Sequence, residues 1–182
     1  MEFALRDFRH EEFESLWRID QQCFAPGISY SRLELAMYLQ RPGAFALVAD
    51  SSEAIGSRTE ERTSGVHASS LGPSHAVAVG FIVAETGSRG NGHIITIDVL
   101  PQARGAGIGS RLLLAAEGRM QASHCHSVML EAAVDNRPAL SFYKRHGYNI
   151  VKTLPGYYSN GVDGLVLKKD LLSPPPPAKL PQ

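Results

Sequence analysis

Apolar residues recur with two different periods along the first forty residues of the chain. Phe3 to Phe8 is predicted as a first strand. From His10 to Phe24 the large apolar side chains return at helical spacing, and Pro26-Gly27 ends this predicted helix. A second helix is predicted from Arg32 to Leu39, with Ser31 as its N-cap.

Further along the chain, short apolar runs alternate with helical patterns. The predicted strands are Ala44 to Ala49, Val77 to Glu85, Gly92 to Val99, Val128 to Ala132, Tyr148 to Thr153 and Gly164 to Lys168. A long helix is predicted from Ser110 to Gln121, and Asn136 is predicted to cap another that runs through Arg145 and stops at Gly147. The order of these elements predicts a mixed α/β protein, with Val77 to Glu85 as an interior strand.

Two segments carry no periodic pattern. Residues 51–74 are rich in Ser, Gly, Glu and Arg and are predicted to form a mobile polar insertion, although a loop of this length is unusual inside a compact domain. Residues 173–182 contain four consecutive prolines and are predicted to be a disordered tail, with a ligand for a polyproline-binding partner as the alternative. One domain is therefore predicted over residues 1–172.

Composition narrows the class of protein. A chain of 182 residues with 43% hydrophobic and 20% charged residues suits one well-buried domain. The net charge of zero argues against nucleic acid as a partner. Neither a secretory signal nor a run of transmembrane length is found in the sequence, so a cytoplasmic protein without a membrane partner is expected, and its oligomeric state is left open.

The cysteines and histidines do not form a recognisable ligand set. Cys23 and Cys125 lie far apart in the sequence and cannot make a disulfide framework, which fits a reducing compartment. His124-Cys125-His126 lacks a second ligand pair at zinc spacing and is interpreted as a polar helix end. No metal site is predicted.

The most specific local pattern is Arg104-Gly105-Ala106-Gly107-Ile108-Gly109, followed by Ser110, between a strand and a helix. Alternate glycines let successive backbone N–H groups point at one anion at the positive end of the following helix, and Arg104 can add a guanidinium. A P-loop would require a lysine after the last glycine, and the dinucleotide fingerprint requires a different glycine spacing. A phosphate cradle is predicted, with a plain tight turn as the alternative.

Three blocks of sequence together resemble one family. The run from Val99 to Leu113 resembles the acyl-coenzyme A signature of the GNAT N-acetyltransferases, with Arg104, Gly107 and Gly109 at its defining positions. The segment from Leu130 to Tyr148, and the ending from Tyr157 to Leu171, resemble the protein N-terminal acetyltransferases, the branch that includes the ribosomal-protein alanine acetyltransferases. Because the blocks occur in the expected order over roughly residues 92 to 171, the resemblance is far more specific than any one motif.

This resemblance implies a fold and a cofactor. The expected fold is a single domain with a central mixed, mostly antiparallel sheet flanked by helices on both faces. Acetyl-CoA is the implied cofactor, with its pyrophosphate on the cradle and its pantetheine arm along the backbone of Ile97, Asp98 and Val99. A solvent-side position on the strand is the alternative for the Asp98 side chain.

The resemblance also implies the catalytic groups. Glu131 is the expected general base, acting on the amine through water, and Tyr143 the general acid that protonates the sulfur of coenzyme A. Asn136 lies seven residues before Tyr143 and is placed on the same helix face, where the family's asparagine contacts the cofactor. An ordinary ion-paired Glu131, a core Tyr143 and a simple helix cap at Asn136 are the structural alternatives.

The acceptor is less well defined by the sequence. By analogy with loops that clamp a peptide's first residues, Tyr30, Tyr157 and Tyr158 are expected at the acceptor entrance, with packing of the last hairpin as the alternative for Tyr157 and Tyr158. Ile28-Ser29-Tyr30 and Val162-Asp163 depart from the branch's pattern, which weakens the argument for a peptide acceptor. The predicted function is transfer of an acetyl group from acetyl-CoA to a protein or peptide α-amine, with a lysine, a small amine or non-catalytic acyl-CoA binding as alternatives.

Overall fold

The computed structural model describes residues 2–51, 77–87 and 89–172. The predicted insertion, apart from Ser51, and the predicted proline-rich tail lie outside the described residues. Within those ranges no helix is long and apolar enough to cross a membrane.

Seven strands form one mixed sheet. They are β1 (Phe3–Asp7), β2 (Ala44–Ser51), β3 (Val77–Thr86), β4 (Asn91–Val99), β5 (Ser127–Ala133), β6 (Asn149–Leu154) and β7 (Gly164–Asp170). Their order in the sheet is β1-β2-β3-β4-β5-β7-β6, and every neighbouring pair is antiparallel except β4 and β5. The predicted mostly antiparallel sheet is confirmed.

Four α-helices connect the strands: α1 (Phe13–Cys23), α2 (Arg32–Leu39), α3 (Ile108–Ala122) and α4 (Arg137–Arg145). The N-terminus of α2 is closed by a capping box in which Ser31 and Glu34 bond each other's backbone N–H groups. The predicted start and end of α2 are confirmed. The first predicted helix is split, because residues His10–Glu12 form a separate 3₁₀ turn before α1.

The helices cover both faces of the sheet. In β3 every side chain from Val79 to Ala84 is fully buried, and since successive residues point to opposite faces, both faces must be covered. Helices α1 and α3 both pack against this strand. The prediction of an interior strand at this position is confirmed.

Strand β2 runs further than its sequence pattern indicates. The strand was predicted to end at Ala49 and the polar insertion to begin at Ser51, but Asp50 and Ser51 both pair with β1 and β3. Asp50 accepts hydrogen bonds from the Arg6 guanidinium, with the shorter contact at 2.5 Å. These two polar residues therefore belong to strand β2, because they pair with the strands on both sides.

Strands β4 and β5 separate part of the way along. They pair only from Asn91 to Ile94 on β4 and from Ser127 to Leu130 on β5. At this point the register between β3 and β4 shifts by one residue, so that Ile95 has no partner across the strand pair. Beyond it, β4 follows β3 and β5 follows β7, which opens a gap in the middle of the sheet.

Candidate active site

A cleft of about 470 Å³ occupies the gap between β4 and β5. Residues from β4, β5, the start of α3, α4 and two loops line it. Of the predicted site residues it brings together Tyr30, Ile97, Val99, Arg104, Gly105, Gly107, Ile108, Gly109, Ser110, Glu131, Asn136, Tyr143, Tyr157 and Tyr158. Asp98 and Ala106 are not among its lining residues.

The glycine-rich turn leaves open space in front of the first turn of α3. Gly105 and Gly107 have φ angles of +82° and +81°, and a Cβ atom at either position would meet no atom within 4 Å. No side chain caps α3 within the described residues, so its first N–H groups are available to a ligand. Arg104 lines the same end, with its Nε–H donated to the Val99 carbonyl at 3.0 Å. These features fit a bound pyrophosphate.

Strand β4 presents Ile97 and Val99 to the cleft, but not Asp98. The solvent-side alternative for Asp98 is wrong, because its side chain is 1% exposed and accepts a hydrogen bond from Thr96 at 3.0 Å. The side chains of Asp98 and of its neighbours in the strand point to opposite faces. Any contact of Asp98 with a cofactor can therefore involve only its backbone.

Glu131 is held in an ion pair at the edge of the cleft. His93 Nε2 lies 2.7 Å from Glu131 Oε2, and His93 Nδ1 lies 3.5 Å from Glu85 Oε1. Burial lowers the pKa of His93, but the hydrogen bonds and charges of Glu131 and Glu85 outweigh burial and leave that pKa raised. His93 was not predicted as a site residue, since only the parallel register of β4 and β5 places it diagonally opposite Glu131.

Tyr143 and Asn136 both face the cleft from α4, as their spacing predicted. Tyr143 is 6% exposed, and burial, together with the charge of Asp98, raises the pKa of its hydroxyl. The tyrosine therefore stays protonated at neutral pH. Asn136 Oδ1 accepts the N–H of Ala139 at 3.2 Å, so this residue is a helix cap that also lines the cleft.

Two loops that carry tyrosines line the cleft and contact each other. The Tyr30 hydroxyl donates to the Ile95 carbonyl at 3.1 Å, at the residue where the register of β4 shifts. The rings of Tyr157 and Tyr158 pack edge to face, with centroids 5.1 Å apart. Ser159 donates to the Gly27 carbonyl at 3.0 Å and so joins the loop that carries Tyr157 and Tyr158 to the loop before α2.

Several lining residues were not predicted from the sequence. Cys23, Phe24, Phe142 and Arg145 reach the cleft from helix ends or faces that look like ordinary core or surface positions. Arg145 follows Phe142 by three residues on α4 and adds a second guanidinium to the lining. Among the described residues no group of three or more His, Cys, Asp or Glu is arranged to hold a metal ion.

The acetyltransferase (GNAT) family model matches residues 10–148, which is most of the chain. The chain belongs to the GNAT acetyltransferase family. The glycine-rich turn and the gap between β4 and β5 both lie within the matched residues and line the same cleft.

Curated GNAT relatives match about half of the chain. An uncharacterized N-acetyltransferase of Methanocaldococcus jannaschii is 40% identical over 92 residues, which are 50% of this chain and 58% of the relative. The N-alpha-acetyltransferase MAK3 of Arabidopsis thaliana is 41% identical over 107 residues, or 57% of this chain and 54% of the relative. The chain thus spans little more than half the length of these relatives.

Solved GNAT structures share the whole fold. Ard1 from Thermoplasma volcanium superposes with a TM-score of 0.74 at 24% identity, covering 95% of this chain and all of that one. A chain of the NatC complex, solved with Gag peptide and CoA, gives a TM-score of 0.70 at 25% identity over 93% of this chain and 99% of that one. The single-domain fold expected from the sequence resemblance is confirmed.

Proposed function

We propose that this protein transfers the acetyl group of acetyl-CoA to the α-amino group of a protein or peptide. The observation that carries the proposal is the joint placement of Glu131 and Tyr143 on the walls of one cleft that the glycine-rich turn and the tyrosine-bearing loops also line. The N-alpha-acetyltransferases among its relatives support it. When bound, acetyl-CoA supplies a thioester whose carbonyl carbon can accept an amine.

The residues at the glycine-rich end suit the phosphates of the cofactor. The open space before Gly105 and Gly107 and the uncapped start of α3 provide backbone donors. Arg104 and Arg145 both line the cleft and provide positive charge. Beyond its partial pairing with β5, strand β4 has an edge along which an extended pantetheine chain can lie.

Glu131 takes the proton from the incoming amine, directly or through one water, as the C–N bond forms. Its contact with His93 Nε2 at 2.7 Å fixes the orientation of the carboxyl group at the edge of the cleft. An α-amine has a reference pKa of about 8 and a lysine of about 10.4, so one carboxylate is better matched to an α-amine.

Tyr143 gives a proton to the sulfur as the C–S bond breaks. Its raised pKa keeps the hydroxyl protonated until that moment, as a general acid must be. Tyr30, Tyr157 and Tyr158 supply aromatic surface for an extended peptide backbone. The joint presence of an acid and a base in the cleft argues against a module that only binds acyl-CoA.

The test is acetyl-CoA-dependent thiol release with three sets of acceptors: peptides with free N-termini, N-blocked peptides with an internal lysine, and small amines. Release that is fastest with free N-termini supports the proposal. Release only with lysine or small amines would show that the acceptor is not an α-amine. No release with any amine would indicate a protein that binds acyl-CoA without catalysis.

A binding measurement separates the cofactor from the chemistry. Coenzyme A at 100 times its dissociation constant should stabilise the fold by about 2.7 kcal/mol and raise the melting temperature, whereas ATP and NAD should not. The absence of any shift with coenzyme A would remove the basis of the proposal, whatever the acceptor.

A further inference from the structure

A polar network is buried where α3 meets β7 and the start of β6. Glu117 on α3 is 5% exposed, and Tyr148, the residue before β6, is 3% exposed. The Tyr148 hydroxyl donates to Glu117 Oε1 at 2.9 Å, and the Lys169 ammonium on β7 donates to Glu117 Oε2 at 2.6 Å. Both oxygens of the Glu117 carboxyl group therefore have a donor, and three elements of the fold are joined at this point.

The network contacts Tyr143 through Tyr148 in two ways. The rings of Tyr143 and Tyr148 pack edge to face, with centroids 5.5 Å apart and 62° between their planes. The backbone N–H of Tyr148 also donates to the Tyr143 carbonyl at 3.1 Å, across the turn that ends α4. Lys169 covers this turn, because a Cβ atom added at Gly147, whose φ is +88°, would lie 3.7 Å from Lys169 Cε.

The two aromatic neighbours of Tyr143 differ in how they are held. Phe142, with its ring centroid 5.2 Å from that of Tyr143, is the adjacent residue on α4 and moves with the same helix. Tyr148 lies beyond the end of α4 and is bonded through its hydroxyl to α3. Tyr148 is therefore the ring that relates Tyr143 to the rest of the fold.

The chemistry of the network suits orientation better than stability. A buried ion pair commonly stabilises a fold no more than apolar residues of the same volume would. Apolar packing has no preferred direction, whereas a hydrogen bond fixes both a distance and an angle. The Tyr148 ring is held by the backbone at one end and by Glu117 at the other, and a tilt of the ring would leave a buried hydroxyl without its acceptor. Burial, followed by the charge and the hydrogen bond of Glu117, raises the pKa of Tyr148, so its hydroxyl remains a donor at neutral pH.

We propose that Glu117, Lys169 and Tyr148 are positioning residues for Tyr143: they hold the Tyr148 ring as a fixed surface against which the Tyr143 ring packs. A general acid must meet the departing sulfur at hydrogen-bond distance, and a displacement of about 1 Å can cost up to about 100-fold in rate. The effect on turnover rests on the proposed function, in which Tyr143 is the acid. The fixed position of the ring does not.

The first variant is Tyr148→Phe, which keeps the ring and removes the hydroxyl that bonds Glu117. It should lower kcat about three- to tenfold and leave the acceptor KM and the affinity for coenzyme A unchanged. Tyr38→Phe is the matched control, because Tyr38 lies on α2 and is not among the residues that line the cleft. Its kcat should equal that of the wild type.

A second variant tests the network away from Tyr148. Lys169→Met keeps an unbranched chain over Gly147 and removes the donor to Glu117 Oε2, so it should also lower kcat several-fold. Lys168→Met is its control, since Lys168 is the exposed neighbour on the same strand, and its kcat should not change.

A double-mutant cycle separates positioning from a general loss of structure. If Tyr148 acts through the Tyr143 hydroxyl, then Tyr148→Phe should cause no further loss of kcat in a chain that already carries Tyr143→Phe. Losses that multiply would show that Tyr148 acts independently of Tyr143.

Fluorine NMR of the full chain labelled with 3-fluorotyrosine follows the Tyr143 ring without any turnover. The Tyr143 resonance is the one that Tyr143→Phe removes. Because phenylalanine and tyrosine rings have similar ring currents, a shifted or broadened Tyr143 resonance in Tyr148→Phe reports a displaced ring. The same change is expected in Lys169→Met, and none is expected in Tyr38→Phe or Lys168→Met.

An unchanged Tyr143 resonance in both Tyr148→Phe and Lys169→Met would overturn the positioning. A changed resonance with wild-type kcat, or with losses that multiply in the cycle, would overturn its consequence for catalysis. A changed resonance together with a wild type that acetylates no amine would sink the proposed function and leave the positioning of the ring standing.

Discussion

At the scale of single residues, the two proposed catalytic side chains, Glu131 and Tyr143, have different surroundings in the cleft. Glu131 Oε2 lies 2.7 Å from His93 Nε2, whereas Tyr143 is buried and burial raises the pKa of its hydroxyl. The proposed function makes Glu131 the base and Tyr143 the acid of one cleft. The two proposed roles predict that the loss of turnover depends on pH differently when Glu131 or Tyr143 is replaced.

Glu131→Gln should lower turnover by roughly 100- to 10,000-fold near pH 7 and leave the affinity for coenzyme A unchanged. Since higher pH supplies free amine without a base, the deficit should shrink toward the pKa of the acceptor amine. The measurement is kcat/KM from pH 6 to 9 beside a coenzyme A titration. A deficit that is constant with pH would argue against the role of a base.

Tyr143→Phe should also lower turnover, but its deficit should persist at high pH. Higher pH offers no replacement donor for the departing thiolate, and the ring packing of Phe142 and Tyr148 against position 143 is kept by phenylalanine. Turnover equal to that of the wild type from pH 6 to 9 would exclude the role of an acid. Loss of coenzyme A affinity in parallel would instead indicate a structural role.

The pair of His93 and Glu131 should contribute to stability in a pH-dependent way. The folded-state pKa of His93 is raised, so this contribution is fully present below the unfolded value of about 6.5 and is lost as pH rises through the folded-state value. A double-mutant cycle with His93→Gln and Glu131→Gln should give a coupling of about 0.5 to 1 kcal/mol at pH 6 and less at pH 9. An equal coupling at both pH values would contradict an ionic pair.

At the scale of elements, the turn between β4 and α3 leaves open space in front of the start of the helix. Gly107 is the N-cap of α3 and has no side chain to cap the helix, and the first residues of α3 line the cleft. A side chain there meets no protein atom, so any conflict would arise with a ligand. The conformation by itself also favours glycine.

Two glycine substitutions in the same part of the chain should have opposite effects. Gly107→Ala should cost about 1 to 2 kcal/mol of stability through its positive φ and should weaken coenzyme A binding about tenfold or more. Gly118→Ala, in the exposed interior of α3, should stabilise the fold by up to about 1 kcal/mol and leave coenzyme A affinity unchanged. Melting curves and coenzyme A titrations measure both, and unchanged affinity in Gly107→Ala would contradict the cradle.

At the scale of the whole molecule, the sheet consists of two parts, β1 to β4 and β5 to β7. They are joined by the short parallel pairing of β4 with β5, and the cleft is the place where that pairing stops. Helices α3 and α4 each reach the cleft, α3 with its N-terminus and α4 with one face. The site is therefore a consequence of the incomplete pairing.

Residues 52–76 connect two strands whose ends already face each other. Ser51 and Val77 are Cα partners across β2 and β3, so a short hairpin turn can replace the segment. The shorter connection should leave coenzyme A affinity unchanged and raise the free energy of unfolding by about 1 to 2 kcal/mol, because loop closure costs less entropy. A large loss of stability would contradict a dispensable insertion, and lost acetyl transfer with coenzyme A binding retained would point to a role at the acceptor side.

The sequence by itself determined most of the elements and the glycine-rich turn before α3. Local signals are strong there: the bounds of α2 follow from Ser31 and Glu34, and the glycine spacing at 105–109 specifies a turn before a helix. The helical spacing of Asn136 and Tyr143 placed both on the cleft, since the period of a helix is a local property.

Only the tertiary structure decided which groups from distant elements meet. The pairing of His93 with Glu131 depends on the register of β4 against β5, and the burial of Asp98 depends on which elements pack over β4. In the sequence these residues look like ordinary polar positions on strands. Register and helix packing are set by the sum of many long-range contacts, which no short stretch of sequence carries, so the charge states in the cleft follow from the fold.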